Sequence, residues 1–171
     1  MTNKEFFTAH LHKEMKRTLN AVRALKEDMS ALNFKHDEKS RSALQIIGHI
    51  LPHPEAMYHA IDSKDILEED KIFATTKEAH DYHENWTNKL IEKMKTVSDE
   101  QWDNDLVSLS VPSRKNIYNG PMREMFWSLL FDTIHHRGQL STYYRQIGLR
   151  PPSIYGPTAE DREDMKAAAT K

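Results

Sequence analysis

The chain contains no cysteine, and this absence removes several kinds of chemistry at once. Disulfides, zinc–thiolate sites and a cysteine nucleophile are excluded, so any thiol reaction needs a thiol brought in as a co-substrate. The chain also lacks a run of about 18 apolar residues, and its first residues do not form a charged region followed by an apolar one. We therefore expect no membrane span and a cytoplasmic location.

Charge of one sign is not in excess either. The chain has 24 Lys and Arg against 26 Asp and Glu, for a formal net charge of −2. The two signs are interspersed without a basic stripe, which argues against a nucleic-acid partner and leaves a small-molecule substrate. Residues 13–17 (KEMKR) are of mixed charge and predict a solvated helix face. There is no HExxH zinc motif and no glycine-rich phosphate loop.

The 171 residues suit a single domain, 1–171, with 158–171 as a candidate flexible tail. Apolar residues recur every three or four positions and predict four long helices. We place these helices at about 3–32, 39–61, 76–97 and 121–147. The sequence thus predicts an all-α four-helix bundle with at least one long crossover connection.

Several local features refine this prediction. Asp37 or Ser40 could cap the second helix, and the prolines at 52 and 54 predict a break after His49. Residues 106–120 look irregular, with a brief extended piece at 106–109, and a connection of this length could act as a lid. Gly148 suits the position just after the last helix.

The principal candidate site lies on the fourth predicted helix. Asp132 and His136 are four residues apart, so they share one helix face with Cβ atoms roughly 5–6 Å apart. With His49 from the second helix, they would supply three metal ligands and leave an open position, as in catalytic metal sites. The alternative is a plain hydrogen bond between Asp132 and His136 that stabilises the bundle. His53 ranks after His49 as a ligand because it stands between two prolines.

Other residues near this motif favour less specific roles. His135 points about 100° away from His136, which places it behind the site or at an interface. Arg137 could anchor an anionic substrate, but we favour a structural ion pair. Gly138 would allow a close approach of another helix. We expect two further histidine pairs on the surface: His80 with His83, and His10 with His12.

The motifs together resemble those of the DinB/YfiT-like superfamily, a group of metal-dependent four-helix-bundle proteins. The resemblance rests on DTIHHRGQL at 132–140, YRQIG at 144–148 and PPSIYGP at 151–157. Upstream, SRSAL at 40–44 and GHI at 48–50 are similar to the motif of the family's second helix. The resemblance covers nearly the whole chain in order, although the first helix matches only generically.

The resemblance implies a divalent metal held by three histidines. His49 and His136 match two of these ligands, whereas Asp132 stands where the family usually has the third. Two histidines and one carboxylate form an accepted set for zinc, nickel, manganese or iron, so the site could survive with a changed metal preference. Alternatively, the site is degenerate and Asp132 merely orients a histidine.

The resemblance also implies a function. A thiol S-transferase or a hydrolase would use the metal to activate a low-molecular-weight thiol or water for attack on a small electrophile. His53 or His135 would then shuttle protons, and a homodimer is expected. The alternative is a non-catalytic, metal-free bundle that acts as a stress-related binding or interaction protein. Arg137, Arg145 and Tyr155 are expected to tie the tail to the helix ends.

Overall fold

The computed structural model describes residues 1–25 and 29–170, with the backbone alone described at 29 and 30. Helix α1 spans Asn3–Ala24 and begins with a capping box between Thr2 and Glu5. Leu25 then leaves helical geometry with φ −76° and ψ 134°, and a short helix α2 covers Met29–Leu32. A continuous helix over 3–32 is therefore wrong, and its part at 26–28 lies outside the described residues.

The second predicted helix is two helices. Helix α3 spans Ala43–Ile50 and helix α4 spans His53–Ser63, which confirms the break after His49. The predicted start was wrong, because Ser42 caps α3 by accepting the N–H of Gln45, and neither Asp37 nor Ser40 does so. A proline is accepted at the start of α4 because the first residues of a helix have no partner for their N–H groups.

The remaining helices follow the apolar pattern with adjusted ends. They are α5 (Thr76–Met94), α6 (Asp99–Asn104), α7 (Met122–Tyr143) and α8 (Ala159–Ala169). A 3-10 turn at Tyr144–Ile147 extends α7, and Gly148 ends it at φ 72°, as predicted. Arg145 binds Glu160 of α8, so this part of the tail is tied to the end of α7 as expected. Flexibility of 158–171 stays a prediction.

A small sheet was not predicted. Strands β1 (Asp65–Leu67), β2 (Leu106–Val111) and β3 (Arg114–Pro121) pair in the order β1-β2-β3. The first pair is parallel and the second antiparallel. Strictly all-α architecture and an irregular 106–120 are therefore wrong, whereas the extended piece predicted at 106–109 is confirmed as part of β2. Strand β1 has only three residues, too few to show an alternation of apolar and polar side chains. It is a strand because it pairs with β2, which lies far along the chain.

The long helices enclose an apolar interior that consists of two clusters of buried side chains. Helix α1 packs against α5 and α7, α4 packs against α5, and α3 packs against α7. The molecule is mostly helical, and the specific four-helix-bundle arrangement stays a prediction. No helix among the described residues is long and apolar enough to cross a membrane. A cytoplasmic location stays a prediction.

Arg137 lies in this interior and forms the structural ion pair that we favoured. Its Nη2 donates to Glu14 Oε2 at 2.6 Å and to the hydroxyl of Tyr155 at 2.6 Å. Tyr155 in turn donates to the same carboxylate oxygen at 2.7 Å. Arg137 and Tyr155 thus tie the tail to α1, as expected. The predicted solvated face at 13–17 was wrong for Glu14, because this ion pair lets its charge be buried.

Candidate metal centre

Three helices bring four candidate side chains to one point. His49 lies near the end of α3, His53 opens α4, and Asp132 and His136 project from α7. The Nε2 atoms of His49 and His53 lie 3.2 Å and 3.8 Å from Asp132 Oδ2. The Nε2 atom of His136 lies 3.4 Å from Asp132 Oδ1. The three imidazoles thus converge on a single carboxylate.

Two carboxylates that the sequence analysis missed complete the surroundings of His49. Glu68 Oε1 lies 3.3 Å from His49 Nε2, and Asp70 Oδ1 lies 2.8 Å from His49 Nδ1. Both follow strand β1, and the N–H of Glu68 donates to Ser110 O at 2.8 Å, which extends the pairing with β2. The acidic run at 68–70 was visible in the sequence, but its position beside α3 depends on the unpredicted sheet.

Gly48 allows the segment after β1 to reach the site. Lys71 N–H donates to Gly48 O at 2.9 Å, and a Cβ at Gly48 would collide with the carbonyl oxygen of Lys71. The predicted close approach at Gly138 was wrong, since a Cβ there would meet nothing within 4 Å among the described residues. The glycine beside His49 therefore fixes Glu68 and Asp70 against this histidine.

Each of the three imidazoles is oriented by an acceptor at its Nδ1 atom. These acceptors are Asp70 for His49, Thr133 Oγ1 for His53 at 2.8 Å, and Gln139 Oε1 for His136 at 2.7 Å. Thr133 gives its own single proton to Leu129 O, so His53 Nδ1 must be the donor. In the neutral form of each ring, with Nδ1 protonated in this way, the Nε2 atom presents a lone pair to the cluster. Metal-binding histidines are held by hydrogen bonds of the same kind.

Buried atoms of the cluster lack hydrogen-bond partners within the described part of the protein. They are His53 Nε2 and Asp132 Oδ2, which face each other at 3.8 Å. The Nε2 atom of His49 is near enough to Asp132 Oδ2 but not aligned for a hydrogen bond. Two acceptors buried face to face are costly unless a cation lies between them. The residues present therefore fit a divalent metal.

The charges of the site follow from this packing. Burial lowers the pKa of His53 to about 3, so this imidazole is neutral near pH 7. Burial also opposes protonation of His49, but the carboxylates of Asp132 and Asp70 hold its pKa above the usual value. For Asp132, burial raises the pKa, but the approach of His49 and the electrostatic interaction with the neighbouring imidazoles outweigh burial and leave the pKa below its usual value. The carboxylate is therefore ionised and available to a cation.

Judged by distance alone, four residues lie close enough together to hold a metal ion. His49, His53, Glu68 and Asp132 each offer one ligand atom, and these atoms lie within 4.8 Å of one another. His136 borders this group through its contact with Asp132. His135 lies outside it and is exposed; its ring contacts that of His136 at 5.0 Å between centroids, and Gln139 bonds to both imidazoles.

The predicted surface position of His80 and His83 was wrong. Both are buried on the inner face of α5, and burial lowers the pKa of His83 to about 4. The break between α3 and α4 explains the position of His83, whose Nδ1 donates to the freed carbonyl of Leu51 at 3.0 Å. His12 is exposed and His10 is partly exposed, as expected.

These observations define a class: a mostly helical protein with a buried histidine–carboxylate cluster suited to a divalent metal. The family model described as "DinB family" matches residues 1–168. The chain therefore belongs to the DinB family.

Solved structures with the same fold support this assignment. A DinB-like protein from Bacillus subtilis is 17% identical with a TM-score of 0.66, and the match covers 89% of this chain and 99% of that one. A DinB-like protein from Bacillus cereus is 18% identical with a TM-score of 0.70, and the match covers 88% and 97%. Identities this low establish the shared fold alone. No curated protein matches the chain.

Proposed function

We propose that the protein is a metal-dependent enzyme that activates a thiol or water for attack on a small electrophilic substrate. The observation that carries this proposal is the pair of buried, unpartnered acceptors, His53 Nε2 and Asp132 Oδ2. A divalent metal bound there would lower the pKa of a thiol or water and produce a nucleophile at neutral pH. Because the chain has no cysteine, transferase chemistry requires an external low-molecular-weight thiol.

His49, Asp132 and His136 are the ligands that we proposed from the sequence, and His53 joins them on geometric grounds. His49 and Asp132 are common to the ligand set proposed from the sequence and to the group that the distances bring together. Two histidines and one carboxylate suit iron, and zinc accepts the same atoms. Manganese and nickel are also compatible. A metal with more than four coordination positions would keep one open even with His49, His53, Asp132 and His136 all bound.

The remaining groups have roles that follow from position. His53 faces the cluster with a lone pair and is buried, so it suits a ligand better than a proton shuttle. His135 is exposed, lies behind His136 and has its Nε2 atom bonded to Gln139, which weakens its candidacy as a catalytic residue. Glu68 is partly exposed and lies 3.3 Å from His49 Nε2, so it is placed to pass a proton between the site and solvent.

Elemental analysis of the purified protein and its variants tests the metal site. We expect near-stoichiometric metal in the wild type and its loss in His49→Ala, Asp132→Ala, His53→Ala and His136→Ala. His59→Ala, which removes an exposed histidine of α4, is the matched control and should keep the metal. Retention in His136→Ala but not in His53→Ala would leave His49, His53 and Asp132 as the ligands.

A metal-free wild type, even after reconstitution with zinc, nickel, manganese and iron(II), would contradict the proposal. The non-catalytic binding or interaction protein would then be the better hypothesis. If metal is bound, turnover of an electrophile that depends on an added thiol would indicate a transferase. Turnover without a thiol would indicate a hydrolase.

We also propose that the protein forms a homodimer through the outer face of α1 and α7. Aromatic side chains cluster there, with Trp127 and Phe131 stacked at 5.4 Å between ring centroids and Phe6 beside Trp127. They line a groove of about 820 Å³, and Phe131 is 59% exposed. Exposed aromatic patches of this kind mark association surfaces.

Sedimentation of the wild type and of Phe131→Glu tests the dimer. We expect a dimer that Phe131→Glu converts to a monomer, because a buried charge opposes association. Met165→Glu, at another exposed apolar residue, should leave the dimer intact. A wild type that sediments as a monomer at micromolar concentration would contradict this proposal.

A further inference from the structure

A second pocket adjoins the candidate metal centre. It has a volume of about 480 Å³, lies between the segment before α3 and the C-terminal half of α7, and shares His136 with the cluster. Besides His136 and Arg41, it is lined by His36, Ser40, Gln139, Thr142 and Tyr143. Its volume is within the range of small-molecule sites. Among the described residues no carboxylate lines it, and Arg41 is its fixed charge.

Arg41 is held at the boundary between the pocket and the cluster. The hydroxyl of Tyr143 donates to Arg41 O at 2.7 Å and fixes the backbone. The guanidinium is exposed, and its Nη1 donates to His136 Nε2 at 3.3 Å. Within the part of the chain that the structure describes, Arg41 has no carboxylate in ion-pair range. Most of its five N–H donors are therefore open to a ligand.

We propose that this pocket binds a carboxylate group of the substrate or co-substrate and that Arg41 recognises it. The planar fork of a guanidinium matches a carboxylate through two parallel hydrogen bonds. The hydroxyl of Ser40 is a further neutral donor in the pocket, whereas the polar groups of Gln139 and Thr142 line it while bonded to His135, His136 and the backbone. This inference rests on the proposed function, because it places the reactive end of the bound molecule at the metal centre.

The contact between Arg41 and His136 strengthens this inference. Arg41 Nη1 uses the Nε2 lone pair that His136 would offer to a metal. One lone pair cannot serve both, so metal ligation by His136 releases the guanidinium. The released group has the pocket beside it, where hydroxyl and amide groups cannot neutralise its charge. A carboxylate can do so, and metal loading would then prepare the pocket for an anion.

Arg41 could instead serve only to offset the negative charge of the cluster. Its charge does act on His49 and Glu68. A residue with that role alone would not distinguish an anion from a neutral molecule in the pocket. Anion selectivity is therefore the property to test.

The experiment is a titration of the metal-free protein with succinate, followed by the backbone amide signals of residues 40, 139 and 142 in NMR spectra. Succinamide serves as the neutral analogue. We expect saturable shifts with succinate and none with succinamide. Arg41→Gln should weaken succinate binding at least about tenfold, and Arg41→Lys should restore it only in part because lysine lacks the fork. Arg114→Gln, which removes an exposed arginine on β3, is the control for net charge.

Equal binding of succinate in wild type and Arg41→Gln would overturn the proposal. Shifts of the same size with succinamide would do so as well. Since the titration needs no metal, failure to bind metal would contradict the proposed function without changing the outcome for Arg41. Repeating the titration on metal-loaded protein should give tighter succinate binding if His136 is a ligand.

Discussion

The hydroxyl of Thr133 shows how a single neutral side chain can prepare a metal ligand. It accepts the Nδ1 proton of His53 at 2.8 Å and donates to Leu129 O at 3.0 Å. Both groups are buried, so neither hydrogen bond is readily replaced by water. The imidazole is thereby fixed in the tautomer that presents Nε2 to Asp132.

Thr133→Val tests this role because valine keeps the shape and removes the acceptor. We expect metal affinity to fall by about 10–100-fold, the usual effect of losing a hydrogen bond behind a ligand. Titration against a competing chelator measures the affinity. Thr133→Ser keeps the hydroxyl and should bind metal nearly as well as the wild type. Unchanged affinity in Thr133→Val would contradict a role for Thr133 in preparing His53 as a ligand.

Arg137 belongs to the fold, and its removal should affect stability. It is 1% exposed and binds Glu14 and Tyr155 in the interior. Arg137→Ala leaves the carboxylate of Glu14 buried with less compensation, which costs about 3–5 kcal/mol of unfolding free energy. Tyr155→Phe removes hydrogen bonds only and should cost about 1 kcal/mol.

Urea denaturation measures both effects. Arg145→Ala is the control, since Arg145 forms its ion pair with Glu160 at the surface. Such pairs contribute little, so this variant should unfold close to the wild-type midpoint. A similar loss of stability in Arg137→Ala and Arg145→Ala would refute a structural role specific to the buried pair.

At the scale of elements, the segment after β1 is as important to the site as the helices. It carries Glu68 and Asp70 to His49 by packing its backbone on Gly48. A methyl group at position 48 would meet the carbonyl of Lys71, which is backbone and cannot turn aside. The position of this segment therefore depends on residue 48 being a glycine, which has no side chain.

We expect Gly48→Ala to destabilise the protein by about 1–3 kcal/mol, as overpacking does, and to weaken metal binding. Hydrogen exchange at residues 68–71 should accelerate, because the bond from Lys71 N–H to Gly48 O is lost. Gly138→Ala is the matched control. It lies exposed in α7 with free space, so alanine there should stabilise by up to about 1 kcal/mol. Equal exchange at 68–71 in both variants would show that Gly48 does not position the segment.

The sequence predicted the helices well where local patterns decide the structure. The apolar period, the proline break after His49 and the glycine at 148 are all local and were confirmed. The pairing of β1 with β2 was missed because the two strands lie some forty residues apart, and such pairing leaves no local pattern. The acidic segment that follows β1 was missed for the same reason.

At the scale of the whole molecule, burial of a polar residue depends on its partner. Glu14 was assigned to a solvated face because its neighbours are charged, and nothing nearby in the sequence points to Arg137. His83 was assigned to the surface. It is buried because it bonds the Leu51 carbonyl, which a break in another helix frees. The grouping of His49 with Asp132 was proposed from the residues, and the motif resemblance then supported it. The participation of His53 required the actual direction of α4.

The buried pair of Glu14 and Arg137 also predicts how stability depends on pH. Burial alone would raise the pKa of Glu14, but hydrogen bonds from Tyr155 and Arg137 and the charges of Arg137 and Arg17 hold it below the usual value. A carboxylate with a lowered pKa in the folded state stabilises the protein above its unfolded pKa of about 4.3. This stabilisation is lost as the pH falls from there through the lower pKa of the folded state.

Urea denaturation of wild type and Glu14→Gln across this range tests the prediction. Above about pH 5 the wild type should be the more stable by a constant amount, because Glu14 is ionised in both the folded and unfolded states. Below this pH the difference should shrink, since acid protonates Glu14 in the wild type while glutamine does not titrate. Glu100→Gln, at an exposed position on α6, should follow the wild-type curve. If wild type and Glu14→Gln lose stability in parallel on acidification, the buried carboxylate does not connect α1, α7 and the tail in the way that the structure indicates.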